Sequence, residues 1–179
     1  MVSRQYAIAG LSFALTATVF LTSCAVPAYD EKMDNQLTEL QQSMDAGLGA
    51  IQGYSLFYER LSKNTAAGKL ALEKAREKCG FESSYSFYND TEARINTLLV
   101  RLSVTPDVPQ GPVNALTSLQ KNFISLKDMH ASHQPCLNSV NFIVKRKQLR
   151  GDFYPLYSYL LQTKVGVPDS QSAQRFNAP

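Results

Sequence analysis

The sequence predicts an all-α protein: an elongated antiparallel bundle of about four helices, with a long first helix and one disulfide. Three observations carry that prediction. Apolar residues recur with a helical period from Met33 onwards, and no segment sustains the alternation of a half-buried strand. Two cysteines, Cys79 and Cys136, remain as an even pair behind an N-terminal export segment. The chain has 179 residues, 44% hydrophobic and 18% charged, which supplies a packed core and argues against intrinsic disorder.

The first helix begins after Asp30. Met33, Leu37, Leu40, Met44, Leu48, Ile51, Tyr54, Tyr58 and Leu61 cover 28 residues in eight steps, a period of 3.5. Asp30, Glu31 and Asp34 suit the positive end of the helix dipole. The seam continues through Thr65, Gly68, Leu72, Ala75 and Cys79, with a weak point at Asn64 to Gly68 and a stop at Gly80. Gly47, Gly49 and Gly53 make this helix locally weak, each costing about 1 kcal/mol relative to Ala.

The second helix is predicted from about Tyr85 to Ser103, with Tyr85, Tyr88, Ile95, Leu98 and Leu102 on one stripe. Three prolines and a glycine between Thr105 and Pro112 form a loop, and Pro112 fits the first turn of the third helix. That helix carries Leu116, Leu119, Phe123, Leu126 and His130. The fourth segment starts near Cys136 with Leu137, Val140, Ile143 and Val144. Its pattern falters at Gly151-Asp152, where Asp152 is placed to cap a fresh helix containing Phe153, Leu156, Tyr157, Leu160 and Leu161. Pro155 is then tolerated in a first turn. Residues 30–165 form the bundle, and residues 166–179, polar and aperiodic, read as a flexible tail.

The cysteines constrain the topology. In an oxidising compartment Cys79 and Cys136 pair, closing a 58-residue loop. Short connections favour up-down-up-down order. If residues 30–79 run up as one helix, Cys79 and Cys136 fall at the same end of the bundle; a hairpin broken near residue 66 spoils that parity unless the chain bends. The pairing therefore favours a nearly continuous first helix. The competing use of Cys136 is as a metal ligand with His130 and His133, but Pro135 interrupts the helix that would align them.

The N-terminus supplies an address. Arg4 is a short positive region, and Tyr6 to Phe20 is apolar but interrupted by Gly10, Ser12, Thr16 and Thr18, too short and polar for a permanent span. Leu21-Thr22-Ser23-Cys24 follows and resembles the lipobox of bacterial lipoproteins. The resemblance implies removal of residues 1–23, a diacylglycerol on Cys24 and an acylated new N-terminus. Ala25, where Asp often marks inner-membrane retention, implies sorting to the periplasmic face of the outer membrane. Residues 24–29 are then the lipidated Cys and a short tether spanning at most about 17 Å.

Chemistry is sparse. The net charge of +3 does not suggest a nucleic-acid binder. No G-x-S-x-G, H-E-x-x-H or phosphate-cradling loop is present, Glu92 is the last Glu, and no catalytic, cofactor or metal site is predicted. Residues 24–100 balance to −3 and residues 101–179 to +5. Lys145, Arg146, Lys147 and Arg150 form a basic cluster, and with Tyr154 and Tyr157 they make the candidate interaction surface. The plainer reading of the cluster is a solvated face complementing a helix C-terminus. The expectation is a non-enzymatic, lipid-anchored helical bundle serving an envelope protein complex. The alternatives are a periplasmic immunity or inhibitor lipoprotein and a small-ligand binder.

Overall fold

The computed structural model describes residues 29–66 and 68–165. The lipobox, most of the tether and the 166–179 tail lie outside the described residues. Within them every regular element is a helix: α1 Glu31–Ser62, α2 Lys69–Cys79, α3 Phe81–Val104, α4 Gln110–Ser132 and α5 Ser139–Val165. Helices α1, α3, α4 and α5 form the expected up-down-up-down bundle, with α1 touching α3 and α5, and α4 closing the square.

The first helix is not continuous to Cys79. α1 ends at Ser62, and after the chain reverses, α2, from Lys69, returns along α1. The turn forms where Asn64 accepts from the Ala66 N–H at 3.0 Å, a local bond that competes with helix continuation. Residues 30–79 therefore hold two helices, not the one nearly continuous helix that the parity of the cysteines predicts. α1 is about 48 Å long and overshoots the start of α3. The short α2 descends beside that overshoot and delivers Cys79 to the bundle end that Cys136 also reaches, at a Cα–Cα separation of 5.3 Å. The disulfide therefore forms with the hairpin as well as it would with a single rod.

Gly80 separates α2 from α3 in extended geometry (φ −72°, ψ 153°), so α3 starts at Phe81, four residues earlier than the apolar stripe suggested. Tyr85 is consequently half-exposed, and Ser84, Tyr88 and Thr91 take the inner positions. The stripe of α1 shifts too. After Ile51 the buried residue is Ser55, while Tyr54 faces outward, because α2 rather than α3 covers this stretch. On α4 all five predicted core residues are fully buried.

α5 departs most from expectation. It runs unbroken through Gly151, and Asp152 caps nothing; its carboxylate accepts from Asn122 Nδ2 at 2.7 Å. Pro155 sits in the helix interior, and the carbonyl its ring would crowd belongs to Gly151, the residue four before it. Val140, Ile143 and Val144, expected inside, face outward, and the core is filled by Leu137, Phe142, Leu149, Phe153, Leu156 and Leu160. The start of α5 is held by a residue distant in sequence: Glu59 on α1 accepts from the Ser139 N–H at 2.6 Å and its hydroxyl at 3.0 Å. A carboxylate there complements the helix N-terminus.

At the other end Asp30 does two jobs. Its side chain accepts from the Met33 N–H at 3.0 Å, capping α1, and pairs in bidentate fashion with Arg101 of α3 at 2.7 and 2.8 Å. Burial alone would raise its pKa, but the Arg101 hydrogen bond and charge and the Met33 N–H outweigh it and hold the carboxyl below its ordinary value. Asp30→Ala is expected to cost about 1–2 kcal/mol in urea unfolding at pH 7. Because the folded pKa is depressed, this stabilisation is complete above the unfolded carboxylate range near pH 4 and is lost as pH falls through the folded value. Equal stability of the wild type and the variant at pH 7 would contradict the clasp.

The α1 glycines differ in purpose. The Phe87 ring of α3 occupies the space that a Cβ on Gly47 would fill, so this position is a close approach rather than a weakness. A Cβ on Gly53 would meet nothing within 4 Å. Gly53→Ala is expected to raise stability by about 0.5–1 kcal/mol. Gly47→Ala is expected to lower it by about 1–2 kcal/mol through displacement of Phe87. Thermal melts of the two variants moving in the same direction would refute the distinction.

Candidate interaction surface

The six surface candidates on α5 divide between two faces of the helix. Arg146 turns towards α1. Its Nη1 donates to Gln52 Oε1 at 2.7 Å and its Nη2 to the Asp45 carbonyl at 3.3 Å, with the Asp45 carboxylate 3.6 Å away. Arg150 donates through Nε to the same carboxylate at 2.9 Å. Tyr157 also belongs to this seam: its hydroxyl donates to Gln41 Oε1 at 2.8 Å and its ring stacks on Phe153. Burial pushes the Tyr157 hydroxyl pKa up, and Asp34 adds to the shift. Much of the basic cluster is therefore joinery between α1 and α5, with Asp45 as the shared counter-charge. Sequence reading missed Asp45, 105 residues from Arg150, because only the fold brings them together.

Lys145 leans the other way, towards Ser125 and Gln148 at 3.5 and 3.4 Å. That leaves Lys147 and Tyr154 pointing outward, with Tyr154 exposed and Lys147 in none of the ion pairs or hydrogen bonds described. They stand on a line with Val140, Ile143, Val144, Leu161 and Val165; apart from the adjacent Ile143 and Val144, its members are three, four or seven residues apart along α5. The six apolar residues of this line are between 51% and 75% exposed. α5 thus has two apolar faces, one in the core and one in solvent. The start of the outer line is legible in the sequence, where spacing alone predicts Val140, Ile143 and Val144 as a core stripe.

The second concentration of polar groups is the disulfide end. His130 is fully buried, with Nε2 2.8 Å from the Cys79 carbonyl oxygen and Nδ1 3.0 Å from the Tyr88 hydroxyl. A carbonyl only accepts, so Nε2 carries a hydrogen; a neutral ring then accepts at Nδ1 from Tyr88. The Cys79 carbonyl is freed by the helix break at Gly80, and His130 satisfies it. Phe81, Tyr88 and Phe142 pack their rings around the imidazole at centroid distances of 5.3 to 5.7 Å. Burial lowers the His130 pKa, opposed by the Cys79 bond, and burial raises that of Tyr88. His133 instead lies at the surface, donating to the Met129 carbonyl at 2.7 Å. With Cys136 in the disulfide, the His130, His133 and Cys136 alternative does not assemble as a ligand set.

Clefts of about 280 and 260 Å³ lie along the seam between α1 and α3. Another of about 520 Å³ lies beside Gly80, lined by Glu73, Arg76, Glu77, Glu82 and Pro135. The space between α1 and α5 at Met44, Leu48, Leu149 and Phe153 amounts to about 10 Å³, at most a single water. Glu92, the last Glu of the chain, is paired with Lys127 at 2.8 Å.

No protein-family model, curated protein or solved structure matches this chain. No helix among the described residues is long and apolar enough to cross a membrane.

Proposed function

We propose that this chain is a bacterial lipoprotein, anchored through Cys24 at the periplasmic face of the outer membrane, that acts as a non-enzymatic interaction module for an envelope complex. The observation that carries the reading is Leu21-Thr22-Ser23-Cys24 at the end of an apolar export segment, six residues before the folded bundle begins at Asp30. Such an anchor confines the bundle to the membrane plane and raises its effective concentration near other membrane components. Two features of the bundle support this reading: His130 and Glu92 are engaged in internal contacts, and the seam between α1 and α5 is filled. The exposed outer line of α5 offers a surface for contact at the membrane.

The test has two arms. Cys24→Ser is expected to abolish acylation and leave the protein unprocessed or released; unchanged processing and acylation would refute the anchor. In-cell crosslinking of the processed protein, followed by mass spectrometry, is expected to recover a reproducible envelope partner. Recovery of a secreted hydrolase would replace the accessory role with immunity.

A further inference from the structure

We propose that the outer face of α5 is a membrane-surface contact, seated on an anionic lipid bilayer. The face is built like an interfacial helix. Val140, Ile143, Val144, Tyr154, Leu161 and Val165 run its full length of about 40 Å, and no acidic residue lies on the line. Lys147 stands within it and Arg150 at its edge. The single acid of α5, Asp152, turns to Asn122 of α4; of the five cations of the helix, Arg146 and Arg150 pair with Asp45, Lys145 leans to Ser125 and Lys164 lies over Tyr29, so the outer face presents Lys147. A surface that is apolar and cationic complements one that is apolar and anionic. Tyr154 and Lys147 suit the depth at which headgroups meet acyl chains, because each has an apolar body and a polar tip.

The place where the chain leaves the bundle favours a bilayer over another protein. Lys164, one residue from the end of α5, lies 5.0 Å from the centre of the Tyr29 ring, so the tether departs beside the end of the apolar line. In this respect the inference rests on the anchored reading: a leash of at most about 17 Å from Cys24 keeps that end of α5 at the lipid surface. Rotation of the bundle about that end then lays the remaining line on the bilayer.

The chain contains no Trp, so one introduced indole reports alone. The processed, acylated protein carrying Tyr154→Trp is reconstituted on vesicles of phosphatidylethanolamine and phosphatidylglycerol containing brominated acyl chains. Its fluorescence is expected to fall by about twofold or more and to shift to the blue. Val100→Trp, on the exposed face of α3 at the opposite corner, is expected to show neither change. Ile143→Glu with Leu161→Glu, both at exposed positions, is expected to remove the quenching while the helical circular dichroism is retained. Equal quenching of the two indoles, or none at Tyr154→Trp, would overturn the proposal. A blue shift without vesicles, accompanied by a doubled mass in light scattering, would assign the face to a second copy and also overturn it. The mass of the N-terminal peptide keeps the two readings apart. An acylated protein with an unquenched indole defeats only the α5 contact. An unacylated protein whose indole is quenched on anionic vesicles defeats only the anchor.

Discussion

Replacing Cys79 and Cys136 together by Ser is expected to destabilise the bundle by on the order of 4 kcal/mol, the chain-entropy value for a loop of this length. The bond ties the end of α2 to the connection between α4 and α5, joining points 57 residues apart in sequence. Without it, α2 is held by contacts with α1 and α3, by Ala75 and Cys79 in the core, and by the His130 bond. An 11-residue helix has little stability of its own. The loss should therefore include early fraying of α2, read as faster amide exchange over residues 69–79. Urea unfolding with and without reductant measures the global effect. A shift below about 1 kcal/mol would show that the cross-link constrains little. Two alkylatable thiols at these positions in unreduced, unfolded protein would disprove the pairing.

His130 has the next largest expected effect. His130→Leu removes the donor to the Cys79 carbonyl and the acceptor for the Tyr88 hydroxyl, leaving two buried polar groups unpaired. The expected cost is about 2–4 kcal/mol. His130→Gln retains one donor and one acceptor and should recover part of it. The wild type should also carry a pH signature. Burial lowers the folded pKa, so the unfolded chain binds more protons. Stability is then full above the unfolded histidine value near pH 6.5 and declines as pH falls through it towards the folded value. His130→Gln should lack this component between pH 7.5 and 5. If wild type and variant fall in parallel over that range, the imidazole is not the group responsible. The Asp30 component, by contrast, operates near and below pH 4.

The legibility of this chain varied by element for identifiable reasons. α4 was read correctly because it packs only against α3 and α5, and one stripe from Leu116 to His130 serves both neighbours. α1 was legible up to Ile51 and misread beyond it, because the periodicity of Tyr54, Tyr58 and Leu61 says nothing about which helix covers them. α5 was read as two pieces because Gly151 and Pro155 look like a boundary, yet the helix passes through both. Its two apolar faces blurred the period, so inner and outer residues could not be told apart by spacing alone. The basic cluster is plain in the sequence, but its division into Arg146 and Arg150 facing Asp45, Lys145 facing α4 and Lys147 facing outward depends on the neighbours.

What the sequence by itself determined is the class of structure and the pairing of the cysteines. Helical period, capping residues and turn residues are local properties, set by backbone geometry within a few positions of each residue. An even cysteine pair behind an export segment likewise needs no fold to be recognised. What only the tertiary structure decided is direction: the return of α2 along α1, which of the two apolar faces of α5 enters the core, and which cation meets Asp45. Those outcomes depend on contacts between residues up to 105 positions apart. Burial is a competition among faces of similar apolarity, and it is settled by the neighbours each face meets.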